Sequence, residues 1–273
     1  MSKVAIQGVR GSFHDEAAAL LVPEAEVLEC TSFHDVFTAV ETEAEFGVVA
    51  IENSLHGSIN PIYGLLQQTK LWVAGETTLE IEQYLIGASQ RSLDELNTEK
   101  TEVRTMFPAF AQCDRWLMEH LPLARRVEMF DTAYSLQTVV DENNPDCIAI
   151  AGKHAQEVYG GEILAGPIND DKHNYTRFVL LQKERLDTPD ANRTLLILVT
   201  GNEEGDLYHA LGIFAKAGIN LSRLHSHPIP SDTRRYMFYI DIEAGLHEER
   251  TEFALKRLQA IGCQAKVLGS YKV

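Results

Sequence analysis

Asn174-Tyr175-Thr176-Arg177-Phe178 runs directly into the apolar stretch Val179-Leu180-Leu181. An amide, a hydroxyl that can donate a proton and a guanidinium that can grip a carboxylate fall within four residues there. That combination suits chemistry on a small carboxylated molecule, although a loop capping a strand, with Arg177 solvated, accounts for the same residues. Three further polar clusters bear on the choice: Gly8–Ser12, Glu52–Gly57 and Asp131-Thr132-Ala133. The spacing places each at or just past the end of an apolar strand, where open α/β sheets bind their ligands. Taken singly, each is ordinary strand-end and helix-cap polarity; together they describe a cleft for a small carboxylate. None carries the Cys/His/Asp set of a metal site or a Ser-His-Asp order with a nucleophile elbow. Gly8-Val9-Arg10-Gly11 lacks the third glycine of a dinucleotide fingerprint. His14, His56 and His173 stand near clusters and could act as general acids, but a chain with ten histidines places some there by chance.

The elements that must position these clusters alternate. Val4–Gln7 reads as a strand, Phe13–Leu21 and Phe33–Glu43 as helices, and Phe46–Ile51 as a continuous apolar strand. Helices at Pro61–Gln68, Ala109–Glu119, Ser135–Val140 and Lys153–Tyr159 alternate with strands at Leu71–Gly75, Val127–Phe130 and Cys147–Gly152. Glu82–Gly87 reads as a strand carrying the chain to a second lobe. This βαβα order predicts an α/β fold with a mostly parallel sheet. Residues 182–192 are charged, include Pro189 and read as a linker. Beyond it, Thr194–Val199, Leu207–Ala217 capped by Asp206, Ile219–Pro228, Arg235–Ile242, Glu248–Ile261 and Ala265–Tyr271 spell βαββαβ, with a turn at Pro230–Thr233.

Charge supports the division. The chain has 273 residues and a formal charge of −16, yet residues 193–273 hold 10 basic against 9 acidic residues. The excess of acid argues against nucleic acid or anionic membrane as partner. An anionic substrate then needs a locally positive site, built from backbone N–H groups and a few placed arginines. Cys30, Cys113, Cys147 and Cys263 are scattered and read as buried thiols of a reducing compartment, so a cytoplasmic location is expected. The start of the chain enters a strand at once, without a signal-peptide segment, and no run approaches a membrane span.

These motifs, in this order, resemble the monofunctional prephenate dehydratase family with a C-terminal ACT regulatory domain. Gly8–His14 resembles its Gly-x-x-Gly-[Ser/Thr]-[Phe/Tyr] turn. Ile51–Ser58 resembles its Ile-Glu-Asn-Ser-x-x-Gly segment, Asp131–Ala133 its Thr-Ala motif, and Asn174–Phe178 its Asn-x-Thr-Arg-Phe signature. Gly205-Asp206-Leu207 and Ile219–Arg223 fit the ACT pattern. The resemblance implies a two-lobed, periplasmic-binding-protein-like catalytic domain over 1–183, with lobes of roughly 1–80 plus 164–183, and 81–163. A linker at 184–192 and a ferredoxin-like ACT domain at 193–273 follow. It implies a lyase converting prephenate to phenylpyruvate, CO2 and water in phenylalanine biosynthesis, without metal or cofactor. Arogenate dehydratase is the close alternative, since its substrate differs only by an amine for the keto group. A non-catalytic amino-acid sensor would lose Thr176 or Arg177.

By the same resemblance Thr176 assists the leaving hydroxyl and Arg177 binds a carboxylate. Asn174, Asn53, Ser54, Ser12, Thr132 and Ala133 complete the lining, with Phe178 walling the ring. Gly205, Leu207, Asn220, Leu221, Ser222, His225, Ser226, His227 and Pro228 are the expected effector positions, with L-phenylalanine as effector and a homodimer or homotetramer as assembly. Two departures stand out. Thr105-Met106-Phe107-Pro108 replaces the family's frequent Ser-His-Pro-Gln, and His225-Ser226-His227-Pro228 replaces its Glu-Ser-Arg-Pro. Two imidazoles in place of an acid and a base leave phenylalanine control open, or give it a pH dependence.

Overall fold

The computed structural model describes residues 2–186, 188–229 and 232–273; Pro230 and Ser231 of the expected turn, and Asp187 of the linker, lie outside the described residues. Packing separates two units. One holds the chain up to Ile62 together with Thr77–Phe178, the other Tyr63–Glu76 together with Val179–Val273.

The first unit opens with β1 (Lys3–Gln7), the glycine turn, and α1 (Phe13–Leu21). Ser12 sets the helix start, its Oγ accepting from Asp15 N at 3.3 Å. β2 (Glu26–Cys30), α2 (Phe33–Thr42), β3 (Phe46–Asn53), β4 (Gly57–Ser58), α3 (Asn60–Gln68) and β5 (Trp72–Glu80) follow. β1 lies between β2 and β3 and is parallel to both. Val4–Ile6 and Val48–Ile51 are buried, and the apolar stripe Val36, Phe37 and Val40 of α2 packs on these strands.

The chain then builds a second lobe. In order come β6 (Tyr84–Gly87), α4 (Leu93–Leu96), β7 (Glu102–Thr105), α5 (Phe107–Gln112), α6 (Asp114–His120), β8 (Arg125–Glu128), α7 (Thr132–Glu142), β9 (Cys147–Ala151), α8 (Lys153–Tyr159) and β10 (Glu162–Ala165). It returns to the first lobe as β11 (Tyr175–Gln182), which lies beside β3. The second sheet has the order β10-β6-β9-β7-β8. β7 is parallel to β8 and β9, while β6 runs antiparallel to β9 and β10. The expectation of a mostly parallel sheet is therefore corrected for this lobe: β6, which carries the chain in, runs against both of its neighbours, while β10 runs in the same sense as β9, β7 and β8. The single helix expected over Ala109–Glu119 is two, α5 and α6, joined at Cys113. Asp170 starts the second by accepting from Arg115 N at 2.8 Å and Trp116 N at 2.9 Å. The strand expected at Val127–Phe130 begins two residues earlier. Alternate residues of β6 and β9 serve opposite faces, Leu85 and Ile150 packing with Val103, Phe110 and Leu117, and Ile86 and Ala149 with Leu136 and Val139.

The second unit contains β12 (Arg193–Val199), α9 (Asp206–Lys216), β13 (Leu221–Ile229), β14 (Asp232–Ile242), α10 (Glu249–Ala260) and β15 (Gln264–Tyr271). This is the expected βαββαβ order, with an antiparallel sheet arranged β13-β14-β12-β15. Both helices bury one stripe, Ala210 and Phe214 with Ala254 and Leu258, against Leu196, Leu198 and Ile240. Asp206 is not the cap that its position implies. It is the first helical residue, preceded by Gly205 at φ +90, and its Oδ2 accepts from Glu203 N at 2.8 Å.

Tyr63–Glu76 also belongs to this unit. Lys266 Nζ donates to the carbonyls of Leu66, Gln67 and Thr69 at 3.2, 2.8 and 2.8 Å, satisfying the C-terminal end of α3. β5 pairs in parallel with β15 where Val73 meets Gly269. A Cβ at Gly269 would overlap the Val73 carbonyl oxygen. Gly269→Ala is expected to destabilise the protein by about 1–3 kcal/mol, the usual cost of overpacking. A urea midpoint equal to wild type would contradict that close approach. Among the described residues no helix is long and apolar enough to cross a membrane.

Candidate active site

The Glu52–Gly57 and Asn174–Arg177 clusters meet, and they meet at strand ends. β3 runs on through Glu52 and Asn53, and β11 begins at Tyr175, so each cluster overlaps a strand end, with Ser54–His56 and Asn174 just outside it. Asn53, 8% exposed, is the hub. Its Nδ2 donates to Asn174 Oδ1 at 2.7 Å, to Thr176 Oγ1 at 3.0 Å and to the Tyr175 carbonyl at 3.2 Å. Its Oδ1 accepts from Leu55 N and His56 N, both at 3.0 Å. Ser54 stitches the same strands, its N–H donating to the Tyr175 carbonyl at 2.8 Å and its Oγ accepting from Tyr175 N at 2.9 Å. The Ser54 hydroxyl itself donates to the His173 carbonyl at 3.0 Å.

This arrangement fixes the polarity of Thr176. Its oxygen accepts from Asn53, and among the described residues nothing accepts its proton, so the hydroxyl is a buried donor left available. Asn174 has a different task. Its backbone carbonyl accepts from Ile81 N at 2.7 Å and its Nδ2 donates to Ile81 O at 3.3 Å. Asn169 Nδ2 also donates to Ile81 O, at 3.0 Å, while Asn169 Oδ1 accepts from Gln83 N at 2.7 Å. The two segments that cross between the lobes are thus laced together beside the Thr176–Asn53 pair. No sequence signal paired them, because the partners lie 86 to 123 residues apart.

Strand alternation sorts the rest of the signature. Thr176 and Phe178 are buried on one face of β11, whereas Arg177 is half-buried on the other. Phe178 meets the His14 ring edge-on, with centroids 5.1 Å apart. His14 Nε2 accepts from Ala50 N at 3.2 Å, and burial pushes this imidazole down to about 4. It is a neutral packing group at physiological pH, not a general acid.

The other two clusters face each other across the lobes. Asp131 is the N-cap of α7, accepting at Oδ1 from Ala133 N at 2.8 Å and Tyr134 N at 3.0 Å. The helix therefore starts at Thr132, three residues before its apolar pattern suggests. The Ala133 N–H is committed to this cap, and the Thr132 hydroxyl, on a residue 4% exposed, has no hydrogen-bond partner among the described residues. Gly8, at φ +99, lies so close that a Cβ there would come within 2.5 Å of Asp131 Oδ2. Asp15 adds a second link between lobes, its Oδ2 accepting from Gly11 N at 2.7 Å and lying 3.0 Å from His154 Nε2. The hydrogen bond to Asp15 holds the His154 imidazole above its usual range.

Burial pushes the Asp131 carboxyl up to about 6, with the Glu29 charge adding to it. An acid raised in the folded state costs stability once it ionises. The penalty is absent below the unfolded value near 4, grows as pH rises to about 6, and is complete above that. Asp131→Asn keeps a cap and removes the charge, so it is expected to stabilise the protein by roughly 1–3 kcal/mol at neutral pH. Thermal melts should show that gain shrinking toward pH 4; an equal gain at both pH values would contradict the assignment.

In the second unit the expected effector positions fall on the turn into α9 and on β13. Gly205 and Leu207 line a cavity of about 330 Å³ with Asn202, Tyr208, Tyr236 and Phe238. Asn220 precedes β13, which contains Leu221 and Ser222. Along β13 the side chains alternate, His225 and His227 half-buried and Ser226 and Pro228 exposed. The His225 ring packs on Tyr63 with centroids 5.2 Å apart, and His227 stands edge-on to Tyr239 at 6.5 Å.

Comparison with known proteins agrees with this architecture. A family model described as prephenate dehydratase matches residues 4–186. A bifunctional chorismate mutase/prephenate dehydratase of Aquifex aeolicus is 35% identical over 271 residues, 98% of this chain and 73% of the relative. The chloroplastic arogenate dehydratase/prephenate dehydratase 2 of Arabidopsis thaliana is 34% identical over 284 residues, covering 99% and 73%. Among solved structures, a prephenate dehydratase from Arthrobacter aurescens in complex with L-Phe superposes with a TM-score of 0.86 at 27% identity, covering 99% of this chain and 90% of that one. GqqA, described as a novel type of quorum quenching acylase, gives a TM-score of 0.86 at 30% identity, covering 99% and 98%.

Fold and relatives together define a lyase-type enzyme with a periplasmic-binding-like catalytic fold and an ACT domain. The chain belongs to the prephenate dehydratase family.

Proposed function

We propose that this chain converts prephenate to phenylpyruvate, CO2 and water, with Thr176 assisting departure of the ring hydroxyl. The observation that carries the reading is the polarity of Thr176, whose oxygen is held by Asn53 Nδ2 at 3.0 Å while no described residue accepts its proton. In the reaction the bond from the ring to its carboxylate breaks, its electron pair enters the ring, and the C4–O bond breaks to complete aromatisation. Hydroxide leaves, and a proton must reach it to give water. Thr176 is a weak acid, so it acts chiefly by hydrogen bonding to the developing charge, as a donor that Asn53 holds in place in advance. The family resemblance gives Arg177 a substrate carboxylate, although its side chain lies on the face of β11 opposite Thr176, and the buried Phe178 packs with His14 behind the Thr176 face. Ser12, Ser54, Thr132 and Ala133 complete the frame, Ser54 and Ala133 through the backbone they hold.

Arogenate is the second substrate reading, supported by the bifunctional name of the Arabidopsis relative. An amide-hydrolysing role of the kind named for GqqA needs a serine beside a free base. Here the Ser54 hydroxyl is committed to the His173 carbonyl, and His14 Nε2 to Ala50 N. Residues 1–183 serve catalysis and 193–273 regulation, with L-phenylalanine as effector. A homo-oligomer is supported by the edge position of β13 and by exposed Leu224 and Tyr208. A cytoplasmic location is supported by four buried free cysteines. Trapping of CO2 alongside a phenylpyruvate assay tests the reaction. Equal amounts of the two products are expected, falling when L-phenylalanine is added. CO2 release without phenylpyruvate would reject the reading.

A further inference from the structure

We infer that Asp15 and His154 form a latch that holds the two lobes of the first unit together over the substrate, and that loss of the charge on His154 releases it. The pair touches no reacting atom and acts by position; its effect on turnover rests on the dehydratase reading above. α1 follows the glycine turn of the first lobe, and α8 belongs to the second. Asp15, 7% exposed, places Oδ2 3.0 Å from His154 Nε2, and the same oxygen accepts from Gly11 N at 2.7 Å. Nδ1 of the imidazole lies 3.6 Å from Glu157 Oε2. Two glycines let the helices come this close. A Cβ at Gly11 would stand 3.0 Å from Ala155 Cα, and one at Gly152 would stand 2.8 Å from Phe13 Cζ. In the sheet order β11-β3-β1, the crossing segment at β11 and the turn after β1 stand two places apart. Chain joins the lobes on one flank, and this side-chain pair joins them on the other.

The charges around the pair make it a switch. Asp15 and Glu16 of α1 face the imidazole, as does Glu157 of α8. Arg10 of the glycine turn is the other cation beside Asp15. Glu29 of β2 and Asp131 at the start of α7 face the adjoining Tyr159 phenol, together with Asp15 and Arg10. Protonated, His154 ties α8 to α1 through a charge-assisted bond. Neutral, it leaves three carboxylates, Asp15, Glu16 and Glu157, to repel one another across the lobe boundary. Glu16 is already held above its ordinary value, by burial first and then by Glu157 and Asp15. The hydrogen bond to Asp15 raises His154. Burial opposes it at Asp15, yet the bonds from His154 and Gly11 N hold that carboxyl below its ordinary value. What His154 contributes to closure is therefore complete below the ordinary imidazole value of 6.5 and is lost as pH rises through the raised one. At the acid end the latch fails only as pH falls through the lowered Asp15 value.

The test compares the purified full chain with His154→Ala, His154→Arg and Asp15→Asn, the last of which keeps an acceptor for Gly11 N. Hydrogen exchange of peptides spanning 8–15 and 152–159 reads the parting of the lobes without substrate. Near neutral pH, exchange in these two peptides is expected to quicken about 3- to 10-fold in His154→Ala and Asp15→Asn, and little elsewhere. KM for prephenate should rise by about the same factor with kcat nearly unchanged, because only the closed fraction binds tightly. In wild type KM should climb as pH rises past the imidazole range. That climb should be absent from His154→Ala and flattened in His154→Arg, whose charge persists. Unchanged exchange in both variants, faster exchange spread over the whole chain, or a KM profile that His154→Ala leaves intact would overturn the latch and leave the dehydratase reading standing. If wild type turns over no prephenate, that reading falls, and the exchange comparison alone decides the latch.

Discussion

Thr176→Ala lowers kcat for prephenate by about 10²–10³-fold and changes KM little, the expected loss for one donor acting in the transition state. The geometry requires that size of effect. Thr176 is 8% exposed and accepts from Asn53, so the methyl group of alanine leaves no proton facing the leaving oxygen. Water is a poor substitute, since it would have to be ordered anew for each turnover. Thr176→Ser keeps the hydroxyl and the Asn53 bond, and it should recover most of the rate. Near wild-type turnover by a folded Thr176→Ala protein would remove Thr176 from the mechanism.

Asn53→Ala is expected to act on both rate and stability. The side chain joins Asn174, Thr176 and the Tyr175 carbonyl on one side and the N–H groups of Leu55 and His56 on the other. Its removal strands at least two buried groups, at a cost of about 2–4 kcal/mol. It also frees Thr176 to rotate, and misplacing a catalytic donor by an ångström costs about 10²-fold in kcat. Denaturant unfolding and steady-state rates on one preparation separate the two effects. A variant that unfolds early yet reacts at the wild-type rate would show that Asn53 only braces the strands.

Much of this site was legible from residue types, and the reasons for the rest are physical. Ser12, Asn53, Thr132 and Thr176 stood out because hydroxyls and amides at the ends of apolar runs are hard to explain by packing. What the runs could not show is which cluster faces which. The Asn53–Thr176 bond spans 123 residues, and the Asp131–Gly8 approach depends on a glycine without a side chain to signal it. Alternation in β11 was equally hidden, because four residues of polar sequence do not reveal that Arg177 turns to the face opposite Thr176.

The fold shows the same division. Long apolar elements such as β3 and the βαββαβ unit were readable from period and caps. β2 was not, since Glu26–Cys30 is an edge strand with only Cys30 buried. β7 was not either: Glu102 and Arg104 outnumber its one apolar residue, and Arg104 is satisfied by Glu102 and by Glu142 at 2.8 Å. β10 is half exposed and follows two glycines. Short strands stabilised by tertiary ion pairs carry little pattern of their own.

The most direct test of the central claim is initial-rate formation of phenylpyruvate from prephenate by the purified full chain, with Thr176→Ala and Thr176→Ser alongside. The account predicts steady formation by wild type, at least about a 100-fold lower rate for the alanine variant, and recovery by serine. No phenylpyruvate from wild type at any pH, or equal rates from all three proteins, would contradict it.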